Sequence, residues 1–125
     1  MEEDAEHKLY MLYPEGNWVE AAEDSPFYIV GESAFGKPIL RRVLSYQSSL
    51  VVAIKLSFLA FDSTRVAAND VGYPIDLFYY KKNSYLMNNM RFQAGDLRHI
   101  SEWWQNVLKR GVNRMPLDWF KSIME

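Results

Sequence analysis

Apolar and polar positions alternate, then switch period, along this chain. Residues 9–13 form a short apolar and aromatic run that predicts a buried strand. Pro14-Glu15-Gly16-Asn17 follows as a turn, because Pro pre-sets φ while Gly and Asn tolerate left-handed backbone. Residues 18–22 then predict the second strand of a hairpin, ended by Glu23-Asp24-Ser25-Pro26. Aromatic and β-branched residues at 27–30 predict a third strand. Gly31-Glu32-Ser33 breaks it, and Ser33 is placed to cap a short helix over 34–44 with Pro38 in its first turn. Ser48 or Ser49 caps a longer helix from Leu50 to about Ala68. That helix is apolar almost all round, so packing on more than one side is expected. Its polar residues, Asp62, Ser63, Thr64 and Arg65, gather near its C-terminal end.

A loop at 69–74 leads to a strand over 75–80, a turn at 81–84 and a partner strand over 85–92. Gly95-Asp96 opens a final helix whose Leu97, Ile100, Trp104, Val107 and Leu108 share one face, with Gly111 at the C′ position. After Pro116 the apolar group Leu117, Trp119, Phe120 and Ile123 predicts a docked last helical turn. Three strands, two helices, two strands and a helix do not alternate as a doubly wound sheet does. The order predicts an α+β fold with helices layered on antiparallel sheet, forming one domain or half-domain over 1–125. There is no internal repeat and no low-complexity segment.

Composition narrows the function classes. The net charge of -2 gives no basic excess for a phosphate backbone, which argues against nucleic acid as a partner. The absence of Cys excludes disulfides, thiolate metal sites and a Cys nucleophile. The charged start over residues 1–8 is expected to be loose where it begins. Met1-Glu2-Glu3-Asp4 is acidic where a signal peptide would be basic, and the longest apolar run, 50–54, is too short to span a bilayer. A cytoplasmic protein that does not enter membranes is expected.

Candidate chemistry is sparse. No P-loop, dinucleotide fingerprint, EF-hand or zincin motif is present. His7 and His99 have no neighbour at metal-ligand spacing, so neither a metal nor a cofactor is expected. Gly36-Lys37-Pro38 is a helix start rather than a phosphate cradle. Asp62, Ser63 and Thr64 are adjacent on a helix and do not face one another, and no His is there to act as their base. Hydroxyls bonded back to the helix account for them better. For Trp103-Trp104, one ring in the core and one at an interface is the expected arrangement.

Five stretches, in order and spacing, carry a resemblance. They are Tyr-Pro-Glu-Gly-Asn-Trp (13–18), Glu-Asp-Ser-Pro-Phe (23–27), Gly-Glu-Ser-Ala-Phe-Gly-Lys-Pro-Ile-Leu-Arg-Arg-Val (31–43), Phe-Asp-Ser-Thr (61–64) and Val-Gly-Tyr-Pro-Ile-Asp-Leu (71–77). Together they resemble the Anbu family of bacterial proteasome-type peptidases, over roughly residues 8–116. The resemblance implies the C-terminal half of a four-layer αββα N-terminal nucleophile hydrolase sandwich, assembled into rings or open spirals. It implies a mechanism in which an N-terminal Thr or Ser cleaves peptide bonds, with its own α-amino group as base. In the family the nucleophile, lysine and aspartate lie in the first half, so no catalytic residue is expected here and the chain as given should be inactive. Lys37 matches a helix start, not the catalytic lysine. Ser33, in the Gly-Glu-Ser turn, corresponds to a supporting hydroxyl. Asp70 occupies the loop position where relatives commonly place a Ser near the terminal amine. Their plain alternatives are a helix cap for Ser33 and a turn residue for Asp70. The alternative for the whole chain is a non-catalytic, oligomerising interaction module. Either way, self-association is expected, because a half-sandwich leaves sheet edges and a bare helix face.

Overall fold

A computed structural model of the chain describes residues 7–124. The loose start expected over 1–8 therefore falls mostly outside the described residues. The chain divides into two compact units, the first ending at Gln93 and the second beginning at Ala94.

The first unit opens with the expected hairpin. Strands β1 (Tyr10–Leu12) and β2 (Trp18–Glu20) pair antiparallel, with Tyr10 opposite Glu20 and Leu12 opposite Trp18. Gly16 takes φ +88 in the connecting turn, closed by the Gly16 N–H donating to the Tyr13 carbonyl at 2.9 Å.

Residues 27–30 do not form the expected third strand. Phe27 and Ile29 pack on the helices as alternate residues of an extended segment would. Their backbone joins no ladder, and the Tyr28 hydroxyl donates to the Val19 carbonyl at 2.7 Å instead. Alternation supplied the shape of a strand but not a neighbour to pair with.

Helix α1 (Lys37–Val43) is shorter than expected and Ser33 does not cap it. Its N-cap is Gly36, without a side-chain bond, and Pro38 lies in the first turn as required. Helix α2 (Leu50–Ala67) is capped by Ser49, whose hydroxyl accepts from the Val52 N–H at 3.2 Å. Ser48 instead accepts from the Ser45 N–H at 3.0 Å. The buried apolar core is Leu40 of α1 with Leu56 and Ala60 of α2, flanked by Phe27, Ile29, Ile39, Leu44 and Val52. Among the described residues no large side chain is fully buried, and α2 leaves Val51 61% and Val66 74% exposed. Packing on more than one side, expected from its all-round apolarity, is met in part: Leu56 and Ala60 face the core, Asp62 is buried on another side of the helix, and Val51 and Val66 stay exposed.

Strands β3 (Ile75–Tyr80) and β4 (Met87–Phe92) form the second antiparallel hairpin. Residues 85 and 86, expected in β4, belong to the turn: Tyr85 sits at φ 57 and its N–H donates to the Tyr80 hydroxyl at 3.1 Å. Two small antiparallel sheets with helices make the molecule α+β.

The second unit holds α3 (Arg98–Asn113), a 3-10 turn (Asp118–Phe120) and α4 (Lys121–Met124). Gly111 is not a C′ residue. The helix runs two residues past it, and the Arg114 N–H closes the end on the Arg110 carbonyl. The tail is helical but not docked: Leu117, Trp119 and Ile123 are exposed, and Trp119 meets Phe120 edge-on at 4.3 Å.

Candidate functional site

The two loops singled out by sequence both border α2. Gly36 is buried, and a Cβ placed on it would come within 3.1 Å of the Ala60 Cβ and 3.2 Å of the Ala60 carbonyl oxygen. Glycine thus lets the 31–36 loop lie directly on α2. Ser33 is half-buried in that loop, and its carbonyl accepts from the Lys37 N–H at 3.1 Å. Its hydroxyl makes no hydrogen bond among the described residues.

Asp70 lies at the other loop, where α2 ends. The Val71 N–H donates to the Ala68 carbonyl at 3.3 Å, closing a turn with Asp70 exposed inside it. Ala60 and Ala68 are separated along the helix axis by about 12 Å at 1.5 Å per residue. No hydrogen bond or ion pair joins Ser33 to Asp70 among the described residues.

Between the loops, the last turns of α2 carry a clamp. Asp62 is 6% exposed and accepts from Arg65 Nη2 at 2.9 Å. The Arg65 guanidinium lies 6.0 Å from the centre of the Tyr73 ring, within reach of a cation–π attraction. Tyr73 meets Phe61 edge-on at 5.5 Å, and Phe61 neighbours Phe58 at 6.5 Å. These contacts fix the 69–74 loop against the helix. The Thr64 hydroxyl donates back to the Ala60 carbonyl at 2.8 Å, the back-bonding to the helix expected of it. Sequence reasoning passed over the Asp62–Arg65 pair, which the i, i+3 spacing alone could have signalled. No such spacing signals Tyr73 as the third member, because its ring arrives from a loop.

Other features do not join these loops. A groove of about 290 Å³ lies between the β1–β2 hairpin and the turn leading into α2, lined in part by Leu9, Glu20, Leu44 and Tyr46, and it takes in neither Ser33 nor Asp70. On β3–β4, Asp76 accepts two bonds from Arg91, Nε at 2.7 Å and Nη2 at 3.0 Å. The hydrogen bond first and the charge of Arg91 second hold the Asp76 carboxyl below its usual range. His99 lies exposed on α3, and no cluster of three potential metal ligands exists among the described residues. Trp103 and Trp104 stand 6.1 Å apart, Trp103 exposed and Trp104 half-buried. No described helix is long and apolar enough to cross a membrane.

The arrangement positions one hydroxyl and one carboxylate on loops beside a braced helix end. It brings together no nucleophile and base among the described residues.

No family model and no curated protein matches the chain. Solved structures do. Anbu from Hyphomicrobium sp. strain MC1 superposes with a TM-score of 0.80 at 38% identity, over 87% of this chain and 48% of that one. The Anbu complex of Pseudomonas aeruginosa, solved as a helical assembly, gives 0.77 at 36% identity over 87% and 46%. Anbu, the ancestral beta-subunit, from Yersinia bercovieri gives 0.80 at 33% identity over 87% and 48%. The chain spans about half the length of these relatives and resembles their C-terminal half. At the level of the fold, this is a likeness to a proteasome-like subunit family.

Proposed function

We propose that this chain forms the C-terminal half of an Anbu-type, proteasome-like peptidase subunit that cleaves peptide bonds when both halves are present. The supporting observation is the coverage: 87% of the chain corresponds to only 48% of a relative at 38% identity. On this reading the nucleophile, an N-terminal Thr or Ser, belongs to the other half, and the chain alone turns over no peptide.

Ser33 and Asp70 then act as positioning residues. The Ser33 hydroxyl accepts or donates a hydrogen bond near the nucleophile, and the Asp70 carboxylate orients the terminal ammonium. The Asp62–Arg65–Tyr73 clamp keeps the Asp70 loop in place for that task. The subunit works in the cytoplasm, without a cofactor, on peptide or protein substrates. It self-associates into a ring or spiral, as the helical assembly of the Pseudomonas aeruginosa relative suggests.

A second reading is a non-catalytic oligomerising module. It is favoured by the exposed apolar side chains, such as Leu12 and Trp18, which expect a covering partner.

The test is a fluorogenic-peptide assay paired with native mass spectrometry, on the chain alone and mixed with an N-terminal-half polypeptide of an Anbu relative. Turnover by the mixture only, reduced about 10- to 100-fold by Ser33→Ala or Asp70→Asn with KM little changed, supports the peptidase half. Turnover by the chain alone overturns it. An oligomer inactive in both settings selects the second reading.

A further inference from the structure

Gly111 sits where this chain by itself has no need of a glycine. It lies inside α3 with no positive φ to accommodate, and a Cβ built on it meets nothing within 4 Å. Alanine would hold the helix better there, because glycine leaves the unfolded backbone freer. Glycine is favoured where another backbone must come closer than a Cβ allows.

The surroundings of Gly111 are apolar and open. At about 100° per residue, Trp104, Leu108 and Gly111 lie within about 30° of a common line along α3. Trp104 is half-buried, Leu108 is 47% exposed, and Val112, beside Leu108 at i+4, is 72% exposed. Met115 follows just past the helix and is 50% exposed. The row itself holds no charge, since Glu102, Asn106, Lys109 and Asn113 fall on the opposite side of the helix. Among the described residues no other element of the second unit packs on α3.

We propose that the N-terminal half of the subunit packs an apolar element across α3 at Trp104, Leu108 and Gly111, its backbone coming closest at Gly111. This rests on the peptidase-half reading above and names a surface at which that half docks. The chain spans about half the length of its relatives, so the occupant is drawn from the remaining half of such a subunit. An uncharged row takes an apolar partner, because a charged one would lose its water there without gaining an opposite charge. Leu108 and Trp104 supply the contact area, and the missing side chain at Gly111 leaves the notch into which the partner's backbone settles. Gly111→Ala therefore acts with opposite sign in two settings. It stabilises the chain alone and weakens the hold on the other half.

The experiment titrates the full chain into a labelled N-terminal-half polypeptide of an Anbu relative, with affinity read by fluorescence anisotropy. Urea unfolding of each chain alone runs beside it. Gly111→Ala should raise the urea midpoint yet weaken binding about tenfold, and Gly111→Leu should weaken it further. Asn106→Ala, on the opposite side of α3, should leave affinity within about twofold. A wild-type chain that does not bind the other half overturns the peptidase-half reading and this surface with it. Wild-type binding that Gly111→Ala and Gly111→Leu leave unchanged overturns this surface alone. Asn106→Ala weakening binding as much as Gly111→Ala overturns the choice of face. A Gly111→Ala chain less stable than wild type on its own overturns the open notch from which the contact is inferred.

Discussion

Alanine at two glycines should change stability in opposite directions. Gly36 adopts φ -92 and ψ -33, a conformation open to any residue, so backbone strain plays no part. What opposes alanine there is space. The new methyl would lie 3.1 Å from the Ala60 Cβ and 3.2 Å from the Ala60 carbonyl oxygen, on a helix that cannot turn aside. Carbon atoms prefer about 3.5–4.0 Å, so the loop must lift by roughly half an ångström. Overpacking of this kind costs about 1–3 kcal/mol. Loss of glycine at the N-cap adds up to about 1 kcal/mol, and the stiffer unfolded chain returns about 0.4–1 kcal/mol. The midpoints of these terms leave a net loss of about 2 kcal/mol, within a span of about 0–3.5 kcal/mol. Gly111 lies inside α3 with nothing within 4 Å of an added Cβ, so Gly111→Ala should gain about 0.5–1 kcal/mol. Urea unfolding at fixed protein concentration reads both. Circular dichroism follows the helices of both units, while fluorescence weighs the second unit, which holds Trp103, Trp104 and Trp119. With an m-value of about 1–2 kcal/mol per M, the Gly36→Ala midpoint should fall by roughly 1 M and that of Gly111→Ala should rise by roughly 0.5 M. A Gly36→Ala chain as stable as wild type would mean that the loop does not rest on Ala60, and the placement of Ser33 would fall with it.

The clamp at the end of α2 makes a separate prediction. Breaking a buried pair costs about 3–5 kcal/mol, but the Arg65 side chain is 35% exposed, so Arg65→Ala should cost nearer 1–3 kcal/mol. A double-mutant cycle with Asp62→Ala should return a coupling above about 0.5 kcal/mol, and zero coupling would dismiss the pair. At the hairpin, Arg91 depresses the Asp76 carboxyl, so the folded state binds its proton less tightly than the unfolded chain. That contribution is complete above the unfolded value of about 3.9 and is lost as pH falls through the lower folded value. Asp76→Asn should flatten the acid limb of a stability–pH curve at low salt. An unaltered limb would show that the pair adds nothing in water.

What the sequence could and could not disclose divides along local and non-local lines. The 75–80 strand lies where its β-rich pattern put it, and α2 begins after a serine cap, because both signals are contained within the element. The extended run at 27–30 was misread as a strand, since a ladder needs a partner that local pattern does not supply. Gly111 looked like a helix stop, yet a glycine ends a helix only when its φ turns positive, and here the i→i−4 bonds continue through it. Ser33 looked like a cap because serine before an apolar run usually is one. The chain instead spends 34–36 in a turn, so that Gly36 can meet Ala60. Of the candidate site, the loops carrying Ser33 and Asp70 were legible as breaks, whereas the Asp62–Arg65 pair was passed over although its i, i+3 spacing could have flagged it. Tyr73 closing over Arg65 depended on the fold.

The two faces of β3–β4 bear on where a second half of the fold would pack. One face carries Ile75, Leu77 and Tyr79, all half-buried, with Met90 and Phe92 from β4. The other carries the Asp76–Arg91 ion pair, exposed Phe78 and the Tyr80–Met87 pair. Covering the second face would strip water from both charges of a pair that now lies in solvent, a desolvation cost that their attraction need not repay. Covering the first, where Asn88 opposite Tyr79 is the one polar side chain of the ladder, removes mostly apolar surface, at a gain of about 25 cal/mol per Å². On the proposed reading, the other half therefore packs on the Ile75–Leu77–Tyr79 face. Leu77→Lys should then abolish activity in the two-half mixture, while Asp76→Asn at the same hairpin should leave it intact. Equal loss from both substitutions would place the contact on the ion-pair face.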